Sequence, residues 1–558
     1  MEVYKLLAKA FLREQAICCF ALLGDANMHW ATAMAAGGCR FVYVRDEHNA
    51  LAAAMAWARE TRQVGVATVT CGPGVTQLMT ALPAAVRARL PVVVFAGEAP
   101  LRKPWYNQKI EQRPFVEACG AHYHALHAVD QLETGVRDAF ALAVASRCPV
   151  VLGVPFDFQE EVFAGDPAFP DPACDHFRGP EALQPDAQAV AAALPLIAAA
   201  RRIVVLAGLG VLEADAVDAC RRLADRAHAL LATTLPARGL FHEDPFDLGI
   251  AGGFSKQYTR QRLQQADLII AVGARLAQHT SDAGKLWSAQ QVLHIDIEPR
   301  HFSQGRAVAG MHIRGDARLT LEALHDALEP TPDDEVTPSG TAAADWRCEA
   351  TASAIESTPV DDHPVAISDG LLDPRDVIKT LDQLLPKDWH LVNSSGHCSW
   401  FAAQMFGRPA SHFFTLREFG AIGNGIAFAL GIAVARPERS VVLFDGDGSF
   451  LMHVQELETL KRHGLKVLIC VLNDAAYGSE IHKLRADGLP EDGAAFERTD
   501  CAAIARGFGL GGERVDSLEQ LPGLLQQFAE ATTSTAMVWD IQLSDQVVSP
   551  VIRRSHGG

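Results

Sequence analysis

A glycine-rich turn after an apolar run carries the residues best suited to chemistry in this sequence. The run 441–444 leads into Asp445-Gly446-Asp447-Gly448-Ser449, and a second apolar run, 467–472, ends at Asn473. Glycines let the backbone approach an anion closely, and the start of a helix offers free N–H groups. The pattern therefore predicts two buried strands, an anion site at the turn, and a single helix running from Phe450 to Lys461.

Oxygen-bearing side chains follow both of these strands. Asp447 and Asn473 would supply two oxygen ligands to a hard divalent ion, and Mg²⁺ suits such a site because it shares its octahedron with phosphate oxygens. A glycine-rich strand-to-helix turn with a capping Asp is the alternative explanation. The continuation Asn473-Asp474-Ala475-Ala476-Tyr477-Gly478 favours the metal–diphosphate site over that alternative.

Two further motifs lie far away in the chain. An acid, Glu47, stands where the apolar run 41–44 gives way to a helical pattern, and the turn Cys71-Gly72-Pro73-Gly74 follows another apolar run. The third motif is the glycine-rich segment 418–425. Taken alone, Glu47 reads as a solvated acid at a helix start, and 418–425 reads as a loop that lets a helix pack closely.

Together these motifs resemble the thiamine-diphosphate signature of the acetohydroxyacid synthase, pyruvate oxidase and benzoylformate decarboxylase family. The resemblance covers nearly the whole chain, in the family's order of pyrimidine-binding, central and diphosphate-binding domains. It implies that Asp447, Asn473 and the backbone carbonyl of Ala475 bind Mg²⁺. The sequence departs from many relatives at Asp474, where they repeat Asn, and at Ala475-Ala476, where glycines are common.

The resemblance also assigns the residues around the cofactor. Ile422 matches the bulky wedge that forces the cofactor into a bent shape, and backbone groups at Gly420 and Ile422 would meet the pyrimidine edge. The positions implied to bind cofactor are Glu47, Gly72, Gly396, His397, Gly420, Ile422, Gly446, Asp447, Gly448, Ser449, Asn473, Tyr477 and Gly478.

Glu47 matches the family's activating glutamate. A carboxyl in an apolar cleft has a raised pKa and can share its proton with the aminopyrimidine ring. That exchange favours the imino form of the ring, which removes the thiazolium C2 proton, and the cofactor then carries the carbanion chemistry. The resemblance therefore implies that Glu47 starts the catalytic cycle.

Four residues are candidates for contact with the substrate. Gln108 matches a glutamine that lines the active site in synthases and oxidases, although a surface amide is the alternative. His29 would donate to a substrate carboxylate or cap a helix, and His48 would line the cleft beside Glu47. Glu480 has the spacing of an active-site acid in some keto-acid decarboxylases, against the alternative of a solvated helix face.

The strands and helices that position these motifs are indicated by short apolar runs that alternate with helical patterns. This alternation predicts an α/β chain of three doubly wound domains with mostly parallel sheets. We place a pyrimidine-binding domain at 1–165, a central domain at 185–330, a linker at 331–370 and a diphosphate-binding domain at 371–558.

The composition of the chain argues against some classes of binding partner. The chain has 558 residues, of which 49% are hydrophobic, and a formal net charge of -18 without a dense Lys/Arg stretch. That balance argues against nucleic acid as a partner. Neither a signal peptide nor an apolar run long enough to span a membrane is seen, so we expect a cytoplasmic protein without a membrane partner. The resemblance implies a homodimer or homotetramer with active sites at the dimer interface.

The central domain, 185–330, is the part of the chain in which a second cofactor would bind. Gly208-Leu209-Gly210 follows an apolar run, but it lacks the third glycine of a dinucleotide fingerprint. Some relatives bind FAD in this domain and others leave it empty. We expect this chain to function without FAD.

The function that these residues predict is thiamine-diphosphate- and Mg²⁺-dependent cleavage and formation of C–C bonds on 2-keto acids. The Gln108 segment favours acetolactate-synthase-like decarboxylation and carboligation. The alternatives are a simple 2-keto acid decarboxylase, a flavin-dependent keto-acid oxidase, and a lyase or hydrolase acting on acyloins, cyclic diketones or 2-hydroxyacyl-CoA. A regulatory subunit that kept the fold without catalysis is disfavoured, because Glu47, Asp447 and Asn473 are all present.

Overall fold

A computed structural model of the chain describes residues 1–165, 168–176, 182–328, 345–531 and 536–556. Three six-stranded sheets with helices packed on them form the architecture, and the strands within each of these sheets run parallel. The predicted fold class, three α/β domains with mostly parallel sheets, is confirmed. No described helix is long and apolar enough to cross a membrane.

The first sheet has the strand order β2-β1-β3-β4-β6-β5. Its strands are β1 Cys18–Ala21, β2 Arg40–Tyr43, β3 Gly65–Val69, β4 Val92–Glu98, β5 His122–Ala125 and β6 Val150–Pro155. The α-helices of this part are Val3–Arg13, Met28–Ala36, Glu47–Thr61, Pro73–Thr76, Ala81–Ala88, Gln112–Ala118, Gly135–Ser146, Phe156–Gln159 and Ala173–His176.

The central sheet has the order β14-β11-β10-β7-β8-β9, which is the doubly wound order of dinucleotide-binding folds. Its strands are β7 Ile203–Ala207, β8 Leu230–Thr233, β9 Asp247–Ile250, β10 Leu268–Val272, β11 Val292–Asp296 and β14 Met311–Arg314, with a hairpin of β12 Phe302–Ser303 and β13 Arg306–Ala307. The α-helices are Ala187–Ala199, Leu209–Glu213, Val217–Arg226, Gln257–Gln265, Ala317–Ala327 and Glu349–Ser357.

The third sheet has the order β16-β15-β17-β18-β20-β19. Its strands are β15 His390–Asn393, β16 Phe413–Thr415, β17 Val441–Gly446, β18 Val467–Asn473, β19 Gly511–Val515 and β20 Met537–Gln542. The α-helices are Pro374–Leu384, Cys398–Ala402, Gly425–Ala435, Asp447–Met452, Glu456–Arg462, Gly478–Ala486, Cys501–Gly507, Leu521–Glu530 and Pro550–His556.

The first and third sheets share one topology, because each places its strands in the sequential order 2-1-3-4-6-5. In such sheets, ligands bind beyond the carboxyl ends of the strands, where the order reverses. In the first sheet this edge carries the segments after β1, β2 and β3. In the third sheet it carries the segments after β15, β16, β17 and β18, and these include most of the predicted site residues.

Two helices at equivalent positions of these sheets pack directly on each other. Glu47–Thr61 follows β2, Gly425–Ala435 follows β16, and both are buried over most of their length. His48 bonds Asn424 at their starts, and Glu60 bonds Arg436 at their ends, so the helices run parallel. Small residues make the contact: a Cβ on Gly431 would lie 2.3 Å from the Ala53 carbonyl oxygen.

Two predicted elements differ from the structure. The helix expected from Phe450 to Lys461 is two helices, Asp447–Met452 and Glu456–Arg462, and His453 between them has a non-helical backbone. Of the linker predicted for 331–370, residues up to 344 lie outside the described residues. From 345 onward it contains the helix Glu349–Ser357 and is tied to the central domain, since Trp346 Nε1–H donates to the Ile203 carbonyl at 2.9 Å.

We predict that Gly431→Ala destabilises the protein, because the new methyl group would force the two helices apart. Overpacking of this kind costs about 1–3 kcal/mol. Differential scanning calorimetry should show a lower melting temperature. The matched control is Gly523→Ala, at a helix position where a Cβ meets nothing within 4 Å. Alanine there should be neutral or stabilising by up to about 1 kcal/mol. Equal effects of the two variants would contradict the close packing.

Candidate active site

The carboxyl edge of the third sheet brings together three loops that are distant in sequence. Gly396, after β15, has a φ of 100°, and a Cβ there would lie 3.8 Å from Ile422 Cγ2. The Ser449 Oγ accepts the Gly423 N–H at 2.8 Å and lies 3.4 Å from the Ser394 Oγ. The turn after β17 therefore contacts both the loop after β15 and the loop that carries Ile422.

Asp447 lies in the middle of this edge with its carboxylate unsatisfied. The residue is 1% exposed, and neither carboxylate oxygen has a hydrogen-bond partner among the described residues. Burial raises the pKa of Asp447, and the negative charge of Asp474 raises it further. A buried carboxylate without partners is costly, so this position suits a bound cation.

Asp474 and Asn473 are neighbours in sequence but differ in environment. Burial raises the pKa of Asp474 to about 7, and its carboxylate acts electrostatically on Asp447. The Asn473 side chain donates instead to Asp540 Oδ1 at 2.7 Å and to the Thr499 carbonyl at 3.0 Å. Sequence reasoning chose Asn473 and treated Asp474 only as a departure from relatives. The Asn473 Oδ1, the predicted ligand atom, accepts the Ala475 N–H at 3.3 Å and so lies beside the segment that carries the Ala475 carbonyl.

A second buried acid, Asp445, also escaped the sequence analysis. Its Oδ1 accepts the Gly446 N–H at 3.0 Å, and burial raises its pKa to about 7. A Cβ on Gly425 would lie 2.4 Å from its other oxygen, so glycine is required where the Gly425–Ala435 helix begins. The Ala475 carbonyl, predicted to bind metal, accepts the Phe496 N–H at 3.0 Å, and Ala475 has a φ of 57°.

His397 and the loop after β18 close the anion side of this edge. Burial lowers the pKa of His397 to about 3, so the imidazole is neutral. Its Nε2 accepts the Ser549 N–H at 3.0 Å, which leaves the proton on Nδ1, 3.9 Å from Asp474 Oδ2. A Cβ on Gly478 would lie 2.6 Å from Asp474 Oδ2 and 2.9 Å from His397 Nδ1. Gly478 therefore lets these two side chains approach each other.

The remaining predicted residues of this edge lie in less crowded or more exposed positions. A Cβ on Gly448 would lie 2.6 Å from the Tyr477 ring, so Tyr477 covers that turn. Gly420 has a φ of 76° and lies in open space. Glu480 is exposed on the Gly478–Ala486 helix, where it pairs with Lys483 at 3.4 Å.

Glu47 lies at the matching edge of the first sheet. Burial raises the pKa of its half-buried carboxyl, and a Cβ on Gly74 would lie 3.4 Å from its Oε1. Gly72 has a φ of 64°, and its N–H donates to Gln112 Oε1 at 2.8 Å. A Cβ on Gly72 would lie only 2.1 Å from the Gln108 carbonyl oxygen. The 71–74 turn is thus held between Glu47 and the segment that carries Gln108.

Gln108 belongs to a polar cluster that the sequence analysis identified only in part. Its Oε1 accepts from the Cys71 thiol at 3.4 Å and lies 3.5 Å from the Tyr106 hydroxyl. That hydroxyl also lies 3.4 Å from Asp25 Oδ2. The sequence analysis predicted a role for His29 in this part of the chain and assigned none to Asp25. The His29 ring is exposed and lies 5.5 Å from the Tyr4 ring on the first helix.

The His48 side chain is buried. Only 6% of the residue is exposed, its Nε2 lies 2.5 Å from Asn424 Oδ1, and its ring stacks on His453 at 5.0 Å. Its neighbour Glu47 thus faces the 71–74 turn, while His48 faces the third sheet.

The central domain uses its glycine turn for packing. A Cβ on Gly208 would lie 2.1 Å from the Gly273 carbonyl oxygen, and one on Gly210 would lie 2.6 Å from Gly273 Cα. Backbone meets backbone there, which is why glycines are needed. The expectation that the chain works without FAD stays a prediction.

Family models match all three parts of the chain. Residues 1–117 match the N-terminal binding domain of thiamine pyrophosphate (thiamine diphosphate) enzymes, 190–324 match their central domain, and 394–538 match their C-terminal binding domain.

Curated relatives agree with these matches over most of the chain. An acetolactate synthase large subunit from Parasynechococcus marenigrum is 31% identical over 89% of this chain and 80% of its own length. The Escherichia coli acetolactate synthase isozyme 2 large subunit is 29% identical over 91% of this chain and 89% of its own length. The chain therefore belongs to the thiamine-diphosphate-dependent enzymes of the acetohydroxyacid (acetolactate) synthase family.

Proposed function

We propose that this enzyme uses thiamine diphosphate with Mg²⁺ to decarboxylate a 2-keto acid and to join the resulting fragment to a second carbonyl compound. The observation that carries the proposal is the two-part site. One part is a buried carboxylate with two unsatisfied oxygens, Asp447, at the ligand-binding edge of the third sheet. The other is the half-buried Glu47 at the equivalent edge of the first sheet.

Mg²⁺ fits the oxygen-bearing groups of the third sheet. Asp447, Asn473 and Ala475 offer oxygen atoms, which this ion prefers, and phosphate oxygens and water would complete its coordination. We assign the Asp447 carboxylate, the Asn473 Oδ1 and the Ala475 carbonyl as the ligands that would hold the ion. The Asn473 Nδ2 donates to Asp540 and Thr499, which fixes the orientation of the amide oxygen.

The remaining groups of this edge suit a diphosphate. The His397 Nδ1–H is a neutral donor, fixed by the Ser549 N–H on the other side of the ring. Backbone N–H groups at the turn 446–449 are available where a helix begins. When bound, thiamine diphosphate supplies the electron sink for the carbanion chemistry. Ile422, beside Gly396, would support the cofactor as the wedge that the resemblance implies.

Glu47 holds the proton that starts the cycle. Because burial raises its pKa, the carboxyl retains a proton at a higher pH than a solvated glutamate does. Such a group can both donate to a ring nitrogen and take the proton back, which is the requirement for general acid–base catalysis near neutral pH.

The cluster of Asp25, Cys71, Tyr106 and Gln108 would orient the substrate. The 71–74 turn links this cluster to Glu47, because Gly74 lies beside Glu47 and the Cys71 thiol bonds Gln108. The names of the relatives, acetolactate synthases, support a 2-keto acid as the donor. The alternative of a simple 2-keto acid decarboxylase, with Glu480 as its acid, stays a prediction.

A homodimer or homotetramer would complete the site. Trp105, Phe419 and Tyr477 lie on the edges of the two half-sites and are 75%, 38% and 39% exposed. Large apolar side chains beside polar groups are typical of surfaces that another chain covers. A second copy of the chain is the partner that we propose for them.

Product analysis by NMR tests the proposed reaction. Purified protein with thiamine diphosphate, Mg²⁺ and a panel of 2-keto acids, with and without aldehydes, should give an acetohydroxyacid or an acyloin. Free aldehyde alone would favour the decarboxylase. Cofactor binding without turnover of any 2-keto acid would contradict both and direct attention to acyloin, diketone or acyl-CoA substrates.

We predict that Glu47→Gln lowers turnover by about 10²–10⁴-fold, the usual contribution of a general acid–base residue. Cofactor affinity should change far less, because the amide keeps the shape of the side chain. Turnover is followed by product NMR and affinity by isothermal titration calorimetry. Glu117→Gln, an exposed change on the same domain, is the control. Activity of Glu47→Gln within a factor of about three would exclude the activating role.

The metal assignment predicts different outcomes for two neighbouring residues. Asn473→Ala should weaken Mg²⁺ binding by at least the roughly 10–100-fold seen when metal sites lose indirect partners, while Asn473→Asp keeps a ligand oxygen and loses less. Asp474→Asn, which removes only a neighbouring charge, should have a smaller effect on metal affinity. Titration of Mg²⁺ against thiamine-diphosphate-loaded protein distinguishes them. A larger loss of affinity for Asp474→Asn would transfer the ligand role to Asp474.

A further inference from the structure

His48 stands one residue after the activating glutamate, yet the proposed chemistry makes no use of it. Its backbone N–H donates to Asp46 Oδ1 at 2.8 Å, which caps the Glu47–Thr61 helix. Its imidazole points to the other domain, where Nε2 lies 2.5 Å from Asn424 Oδ1. Both residues are buried, each 6% exposed. A buried polar contact between two domains beside an active site calls for an explanation.

The protonation state of this contact follows from its neighbours. The Asn424 Nδ2 donates to the Ala421 carbonyl at 3.3 Å, so the amide presents its oxygen to His48. His48 must then donate through a protonated Nε2. Burial lowers the pKa of His48, so the ring is neutral and carries its single proton at that nitrogen. The contact is therefore a directional hydrogen bond in which neither partner can rotate without losing a bond.

A second imidazole supports the same loop. His453 stacks on His48 with ring planes 1° apart and centroids 5.0 Å apart. A Cβ on Gly423 would lie 3.0 Å from His453 Cδ2, so the loop backbone lies directly on that ring. The two histidines thus contact the loop at Asn424 and Gly423, immediately after Ile422.

We propose that His48 is a positioning residue that fixes the 420–424 loop, and with it the wedge residue Ile422, against the first domain of the same chain. The inference rests on the proposed function, because it assigns Ile422 to the cofactor. Mispositioning by about 1 Å can cost roughly 10²-fold in rate.

Leucine and glutamine substitutions separate this role from simple packing. His48→Leu fills the space but leaves the buried Asn424 oxygen without a donor, while His48→Gln keeps an N–H near the position of Nε2. We expect His48→Leu to slow exchange of the C2 proton of bound thiamine diphosphate about 10–100-fold, and His48→Gln to restore most of the rate. Quenched-flow NMR measures this exchange without any substrate turnover.

A second readout needs no cofactor. Hydrogen–deuterium exchange with mass spectrometry should show faster amide exchange in a peptide covering 420–424 for His48→Leu, and protection close to wild type for His48→Gln. The control is His463→Leu, which removes another bond between the same domains, from the Tyr43 N–H to His463 Nε2 at 3.0 Å. That control should leave both the 420–424 peptide and C2 exchange unchanged.

The outcomes distinguish the two proposals. Wild-type protein that neither binds thiamine diphosphate nor promotes C2 exchange would overturn the proposed function, and the role of His48 toward the cofactor with it. Normal cofactor chemistry in wild type, with unchanged loop protection and C2 exchange in His48→Leu, would overturn the positioning role alone. Equal losses in His48→Leu and His463→Leu would reduce His48 to a general domain contact and would also overturn it.

Discussion

The close contact between the helices Glu47–Thr61 and Gly425–Ala435 is the constraint on which the rest of the site depends. A key residue lies at the start of each helix: Glu47 is the first residue of one, and Ile422 lies in the loop directly before the other. Because Gly431 sits against the backbone of Ala53, the helices cannot slide without a steric clash. The pairing therefore fixes the relative positions of these two segments within one chain.

The ligand-binding edges of the third and first sheets differ in their buried acidic groups. The third sheet concentrates the acids Asp445, Asp447 and Asp474 where burial raises the pKa of each. Three desolvated carboxyls destabilise one another unless a cation or protons neutralise them. At the equivalent edge of the first sheet, the half-buried Glu47 lies beside Gly74. One edge is therefore suited to a metal and a diphosphate, and the other to the movement of one proton.

Local sequence patterns predicted most of the elements that hold the site. Buried parallel strands read as continuous apolar runs, and β7, β10 and β15 have the bounds that their apolar runs indicate. The glycine motifs were found because anion sites and tight turns need glycine for reasons visible in the sequence itself. The interruption at His453 was missed, because apolar residues at helical spacing continue across it.

Side-chain direction was the part that sequence could not supply. The orientation of the Asn473 amide, for example, is set by Asp540, on the next strand of the sheet and far along the chain. The same holds for His48, whose orientation depends on Asn424, and for Gln108, whose partners Cys71 and Tyr106 are brought to it by Gly72.

Backbone groups set the tautomers of the two histidines that matter most, and this links fold to chemistry. Burial keeps His48 and His397 neutral, so each has one N–H and one lone pair. The Ser549 N–H occupies Nε2 of His397 and leaves Nδ1–H for an anion. The Ala421 carbonyl orients Asn424, which in turn requires Nε2–H on His48. In both cases a main-chain group in another segment decides where the proton resides, so the donors are fixed before any ligand binds.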